Sequence, residues 1–193
     1  MSNINLRLIN KKDALFIIEL RNSRGQFLSE IDNDLQKQEQ WILDYKEREK
    51  KGEEFYFIIE SLEGEKLGSI RIYNFKQGSF CWGSWIIKET APYSTALRSS
   101  LAIYDFAFNT LGFSKACFQV DKQNKRVINF HKKTGANIVN ENKKEYFFNY
   151  FLESYKKYKD KYKKYNSTNS ITINPLLLLN LVTVNYDNQL NNL

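Results

Sequence analysis

One histidine, two cysteines and a few polar residues at element ends carry most of the chemistry this 193-residue chain offers. His131 is the sole imidazole, which excludes every multi-histidine metal centre and leaves one side chain that exchanges a proton near neutral pH. Cys81 and Cys117 are too few for a disulfide scaffold or a cysteine-built zinc site, so no metal is expected. Asp121 and Glu60, at strand ends, are candidates for a water-relayed base, with nothing to single out either. A strand ending at Lys88, a turn over 89–93 and a helix opening with Ser94-Thr95 point free backbone N–H groups and a positive dipole end at one spot. Such a junction binds phosphate or pyrophosphate. The turn is not glycine-rich and Pro92 has no N–H, so it is no P-loop.

The elements that must position these groups follow from periodicity. INLRLIN (4–10) alternates as a strand, with Ile4, Leu6 and Leu8 on one face. Residues 11–23 read as a helix with Ala14, Leu15 and Ile18 inward. Residues 35–49 form a second, with Leu35, Trp41, Ile42 and Tyr45 on one side. Strands at 54–61, 66–75 and 79–88, punctuated by Gly64 and Gln77-Gly78, make an antiparallel meander. A long helix over 94–111 aligns Leu97, Leu101, Tyr104, Phe108 and Leu111, and Gly112 ends it. Then come a strand at 115–122, a helix capped by Asn124 and closed by Gly135, and a hairpin from 136–140 and 146–152. A helix crossing between two strands implies an α/β sheet with one parallel pair.

Composition narrows the class. The chain is 42% hydrophobic and 15% aromatic, enough to pack a core rather than stay disordered. No apolar run is long enough to span a bilayer and the start lacks a secretory signal, so a cytoplasmic protein is expected. Net charge is +7, but residues 155–165 alone hold six Lys against one Asp. That run of lysines and tyrosines can pair with phosphates and stack on bases, yet its reading here is a solvated terminal helix, and nucleic acid is disfavoured as a partner. Residues 166–193 hold eight Asn and a short apolar patch around 176–179. The expected organisation is a domain over 1–154, with a Lys/Tyr-rich helix and Asn/Leu-rich tail over 155–193 outside the catalytic core.

The block Asn124-Lys125-Arg126-Val127-Ile128-Asn129-Phe130-His131-Lys132-Lys133-Thr134-Gly135-Ala136 follows a strand and a helix ending in Leu-Gly. This arrangement resembles the GNAT superfamily of acyl-CoA-dependent N-acetyltransferases. Residues 104–124 are similar to that superfamily's central helix and next strand. LRNS (20–23) with QEQWILDY (38–45) resembles members acetylating amino sugars on nucleotide carriers, including pseudaminic-acid pathway acetyltransferases. The resemblance covers about 4–152 by element order and is most specific over 104–136.

That resemblance implies a mixed, mostly antiparallel sheet with a splayed parallel strand pair, into whose gap acetyl-CoA enters. Pantetheine would pair with the strand edge at Trp85, Ile86 and Ile87, and the pyrophosphate would sit on Ser94, Thr95, Ala96 and Leu97. The family's glycines are missing there, Pro92 and Ser94 standing in their place. Asn124 and Phe130 join the cofactor set. His131 stands where relatives have a tyrosine that protonates the departing thiolate; the bland alternative is a half-buried histidine against Phe130 and Tyr104. A bulge at Gly83-Ser84 would free an N–H to polarise the acetyl carbonyl. Arg21 and Asn22 are candidate contacts to a nucleotide diphosphate. Trp82 and Trp85, three apart on a strand, should face opposite ways, with Trp82 the candidate substrate platform. The implied acceptor is a nucleotide-linked deoxyamino sugar in surface-polysaccharide biosynthesis. A ribosomal or other protein amine, or a non-catalytic binding module, stays open, as does a homodimer.

Overall fold

The computed structural model describes residues 3–24, 27, 33–76, 78–166 and 169–173. One eight-stranded sheet organises them. Its strands are β1 (Ile4–Leu8), β2 (Phe55–Ser61), β3 (Lys66–Lys76), β4 (Ser79–Ile87), β5 (Lys115–Asp121), β6 (Asn137–Glu141), β7 (Glu145–Phe151) and β8 (Ser170–Thr172). Their spatial order is β6-β7-β5-β4-β3-β2-β1-β8. All neighbours are antiparallel except β4–β5 and β1–β8. The meander and the final hairpin fall where alternation and turn residues put them.

On one face lie α1 (Ala14–Arg24) and α2 (Leu35–Lys50). Asn10 and Asp13 form a reciprocal capping box on the 3-10 turn Lys11–Asp13 that leads into α1, and at the start of α2 the Asp34 carboxylate accepts from Gln36 and Lys37 N–H. Two expected core residues are not buried, Leu15 at 54% exposure and Leu35 at 42%. Both sit at the edge of their helix stripes, where Ile17 and Ile42 take the inward positions.

The other face carries α3 (Thr95–Asp105, continuing as a π-turn over Phe106–Thr110), α4 (Lys125–Thr134), α5 (Leu152–Lys161) and α6 (Lys163–Asn166). Leu101, Tyr104, Phe108 and Leu111 are buried along α3 and its extension. Asn124 caps α4 by accepting from Val127 N–H at 3.2 Å, and Gly135 closes it at φ 98°.

The expected solvated helix over 155–165 is corrected. Tyr155 and Tyr158 are buried in the same core cluster as α3, and Tyr162 and Tyr165 pack against it. The Tyr155 hydroxyl donates to Asp105 at 2.7 Å, and the Tyr158 and Ser100 hydroxyls bond at 2.8 Å. Buried Arg98 reaches from α3 to the Tyr165 carbonyl at 3.0 Å. Lys156, Lys157, Asp160, Lys161, Lys163 and Lys164 face water, while Lys159 pairs with Asp105. Packing therefore continues past residue 154, and β8 adds a short edge to β1. The apolar patch around 176–179 lies outside the described residues.

Candidate active site

The sheet opens between its two parallel strands. β4 and β5 pair only at Ser79–Lys115 and Phe80–Ala116, so beyond Phe80 the β4 edge has no strand partner on that side among the described residues. The gap leads to a cleft of about 610 Å3 bordered by Trp85, Ile86 and Ile87 of β4, the Lys88–Tyr93 turn, Ala96 of α3, and Asn124, Arg126 and Val127 at the start of α4. α3 starts at this border, where Ala96 lines the cleft; the first amides of a helix lack partners one turn back within it. Backbone turns at Ala91 N–H to Lys88 O (3.1 Å) and Thr95 N–H to Pro92 O (2.9 Å) shape the loop without glycine.

Midway along β4 the ladder slips. Arg71 pairs with Gly83 but Ser69 pairs with Ile86, so three steps on β4 match two on β3. Ser84 takes φ 47°, a left-handed conformation uncommon for a residue with a Cβ. This is the bulge expected at Gly83-Ser84. It also corrects the expectation that Trp82 and Trp85 face opposite ways: the extra residue resets the alternation, and their ring centroids lie 5.2 Å apart on one face.

Not all expected site residues gather in the cleft. Trp85, Ile86, Ile87, Ala96 and Asn124 border it. Ser94 begins α3 without a side-chain cap bond, Thr95 is buried, and Leu97 packs on the core; none borders the cleft. Phe130 supports Trp85 from behind at 5.0 Å. Trp82, proposed as a substrate platform, is buried against Tyr104, Phe118 and His131. Arg21 turns toward the Tyr56 hydroxyl in the sheet. Asn22 is exposed and donates to Asn33 Oδ1 at 2.7 Å, tying the end of α1 to the approach of α2. Spacing along a helix does not reveal which end residues fold back onto the sheet.

The structure places His131 away from the cleft. It is 3% exposed, ringed by Trp82, Trp85, Phe118, Phe130 and Phe148, and absent from the cleft lining. Its Nδ1 is buried without a hydrogen-bond partner among the described residues, and burial pushes its pKa down to about 3. An imidazole so held is neutral at ordinary pH and has no imidazolium proton to give. Conversely, the cleft gains Ser23, Lys88 and Arg126, which had not been singled out. Arg126 lay inside the motif block, where its charge two residues from Asn124 was the available signal.

The site is thus a cleft in a sheet parted at a parallel pair, bulged beside the gap and faced by the start of a helix. The chain belongs to the GNAT acetyltransferase family: the model of the acetyltransferase (GNAT) domain matches residues 3–137. The solved structure of apo FdhC, a nucleotide-linked sugar GNAT, is 38% identical with TM-score 0.78, covering 85% of this chain and 96% of that one. Spermidine/spermine N-acetyltransferase SpeG from Vibrio cholerae (17% identity, TM-score 0.66, 80% and 97% covered) shares the fold. So does ribosomal-protein-S5-alanine acetyltransferase from Vibrio fischeri (15%, 0.67, 80% and 98%). No curated protein is similar enough in sequence to count as a match. The protein is an acetyl-CoA-dependent N-acetyltransferase.

Proposed function

We propose that the acceptor is an amino group on a nucleotide-linked sugar and that the transfer machinery lies within residues 1–154. The observation carrying this reading is the 38% identity, over 85% of the chain, to a nucleotide-linked sugar GNAT, against 17% and 15% to the polyamine and ribosomal-protein enzymes. Every residue bordering the cleft comes from before position 128. Lys88 and Arg126 outnumber the one acid, Glu89, at its border, a balance that suits two anionic substrates better than a polycation.

The chain's own residues divide the work. The unpartnered edge of Trp85, Ile86 and Ile87 receives the pantetheine amides, and the first turn of α3 receives the pyrophosphate. Asn124 holds the start of α4 against the same cleft. Acetyl-CoA supplies an activated acyl group: the amine nitrogen bonds to the thioester carbon, the C–S bond breaks, the amine loses a proton and the thiolate gains one. The bulge at Ser84 offers a backbone donor to the carbonyl oxygen during that exchange.

The test is thiol release from acetyl-CoA with a panel of nucleotide-linked amino sugars, spermidine and an N-terminal alanine peptide. A nucleotide sugar should lead in kcat/KM by about a hundredfold or more, since polar groups built for one acceptor reject those lacking its partners. Spermidine or the peptide leading would overturn the acceptor assignment.

A further inference from the structure

Ser69 sits fully buried on β3, directly across from the slipped segment of β4. Its hydroxyl donates to the Ser84 carbonyl at 2.9 Å. Ser84 holds the left-handed conformation that makes the bulge, and a main-chain carbonyl displaced from regular pairing needs another donor. Ser69 supplies it. Its neighbour Gly68 lets the strands close up: a Cβ there would stand 2.3 Å from the Ile86 carbonyl oxygen. Behind Ser69, the Tyr56 hydroxyl donates to its oxygen at 3.4 Å.

The geometry of a peptide unit gives this bond a consequence in the cleft. The Ser84 carbonyl and the Trp85 N–H belong to one planar trans peptide, so they point in opposite directions. The carbonyl is drawn toward Ser69. The Trp85 N–H is thereby turned away from β3, toward the side where β4 has no strand partner among the described residues. A hydrogen bond to the carbonyl also polarises the amide and strengthens its N–H as a donor.

We propose that Ser69 is a positioning residue for acetyl transfer, aiming the Trp85 N–H at the thioester carbonyl oxygen by anchoring the Ser84 carbonyl. The proposal rests on acetyl transfer in this cleft. Negative charge grows on that oxygen as the amine adds, so a well-aimed donor matters more in the transition state than in binding.

Ser69→Ala removes the anchor. Its kcat should fall roughly ten- to a hundredfold, as for a displaced oxyanion donor, while the calorimetric Kd for acetyl-CoA stays within about threefold. Infrared difference spectra with carbonyl-13C acetyl-CoA, without acceptor, give a readout that a packing role would not move. The bound carbonyl stretch should lie below its solution position in the wild type and return toward it in Ser69→Ala. Ser69→Cys, with a weak donor of similar shape, should fall between the two, and it carries the test if the alanine variant does not fold. Unchanged kcat, or a kcat loss with the carbonyl stretch still shifted, overturns the role of Ser69. A wild-type protein that neither binds acetyl-CoA nor releases thiol overturns the transferase reading instead.

Discussion

On the α3 face of the sheet, His131, Trp82, Tyr104 and Tyr150 are packed ring against ring, and among the described residues none of their buried polar atoms has an ionic partner. On the α1–α2 face, the buried groups are carboxylates. Asp13 is held by both nitrogens of an Arg7 fork at 2.9 and 3.1 Å and by Lys66 at 2.7 Å. Glu54 takes Arg48 at 2.5 Å together with Arg71, and both guanidiniums lie over the Trp41 ring. Burial alone would raise the Asp13 pKa, but Arg7, Lys66 and the Asn10 N–H hold it below the usual carboxylate value. The contrast shows how one sheet serves two tasks. Ion pairs bind strands and helices directionally, whereas the aromatic cluster around His131 is apolar and shaped mainly by volume, the charges of that face, Arg98 and the Asp105–Lys159 pair, lying where α3 meets α6 and α5. The bulge joins the two: the Ser84 carbonyl turns to Ser69, while the Trp85 indole packs on the α3 side and donates to Ser99 at 3.0 Å.

The largest expected effect is on the aromatic face. Tyr155→Ala empties a fully buried ring site between α3 and α5 and should cost about 3–5 kcal/mol, readable in denaturant unfolding. Truncation after Glu153 removes Tyr155 and Tyr158 together and should abolish soluble folded protein. If either change is silent, α5 is an appendage after all. On the charged face, Glu54→Gln keeps the shape but leaves Arg48 and Arg71 without their carboxylate. Because both arginines are partly exposed, water compensates in part and the loss should be about 1–3 kcal/mol. A loss there as large as that of Tyr155→Ala would break the comparison.

Much of this arrangement was legible in the sequence. Apolar strand runs between turn residues and the 3.6-residue stripe of α3 revealed the order of elements, because a central strand such as β2 and the inner side of α3 are buried along most of their length. Asn124 and Gly135 read correctly as α4 caps because capping is local chemistry. The lysine run misled. Tyr155, Tyr158, Tyr162 and Tyr165 are spaced three, four and three apart, a helical stripe that net charge obscured. Trp82 and Trp85 were misplaced because one inserted residue inverts every face after it, and a bulge depends on the partner strand's Gly68 and Ser69. The burial of His131 was not legible because a motif position gives a residue's neighbours in sequence, whereas its surroundings include Trp82, Phe118 and Phe148 from other elements.

His131 therefore gives the smallest and most discriminating prediction. Its folded pKa, pushed down to about 3 by burial, lies below the ordinary value of 6.5. Between those values the unfolded chain takes up a proton that the folded chain refuses. Stability from this group is complete above about pH 6.5 and falls as pH drops, by up to about 1.4 kcal/mol per unit, or about 2 kcal/mol between pH 7 and 5. Asp13 and Asp105, whose pKa values are lowered from 3.8, lose their stabilising charge only below that window. The difference between wild type and His131→Phe thus isolates the imidazole. Unfolding midpoints should drop from pH 7 to 5 in the wild type and stay nearly level in His131→Phe. Turnover of His131→Phe should remain within about threefold of wild type. A loss near a hundredfold, the usual size of a general-acid contribution, would return the imidazole to the chemistry and show that the aromatic cage opens during the reaction.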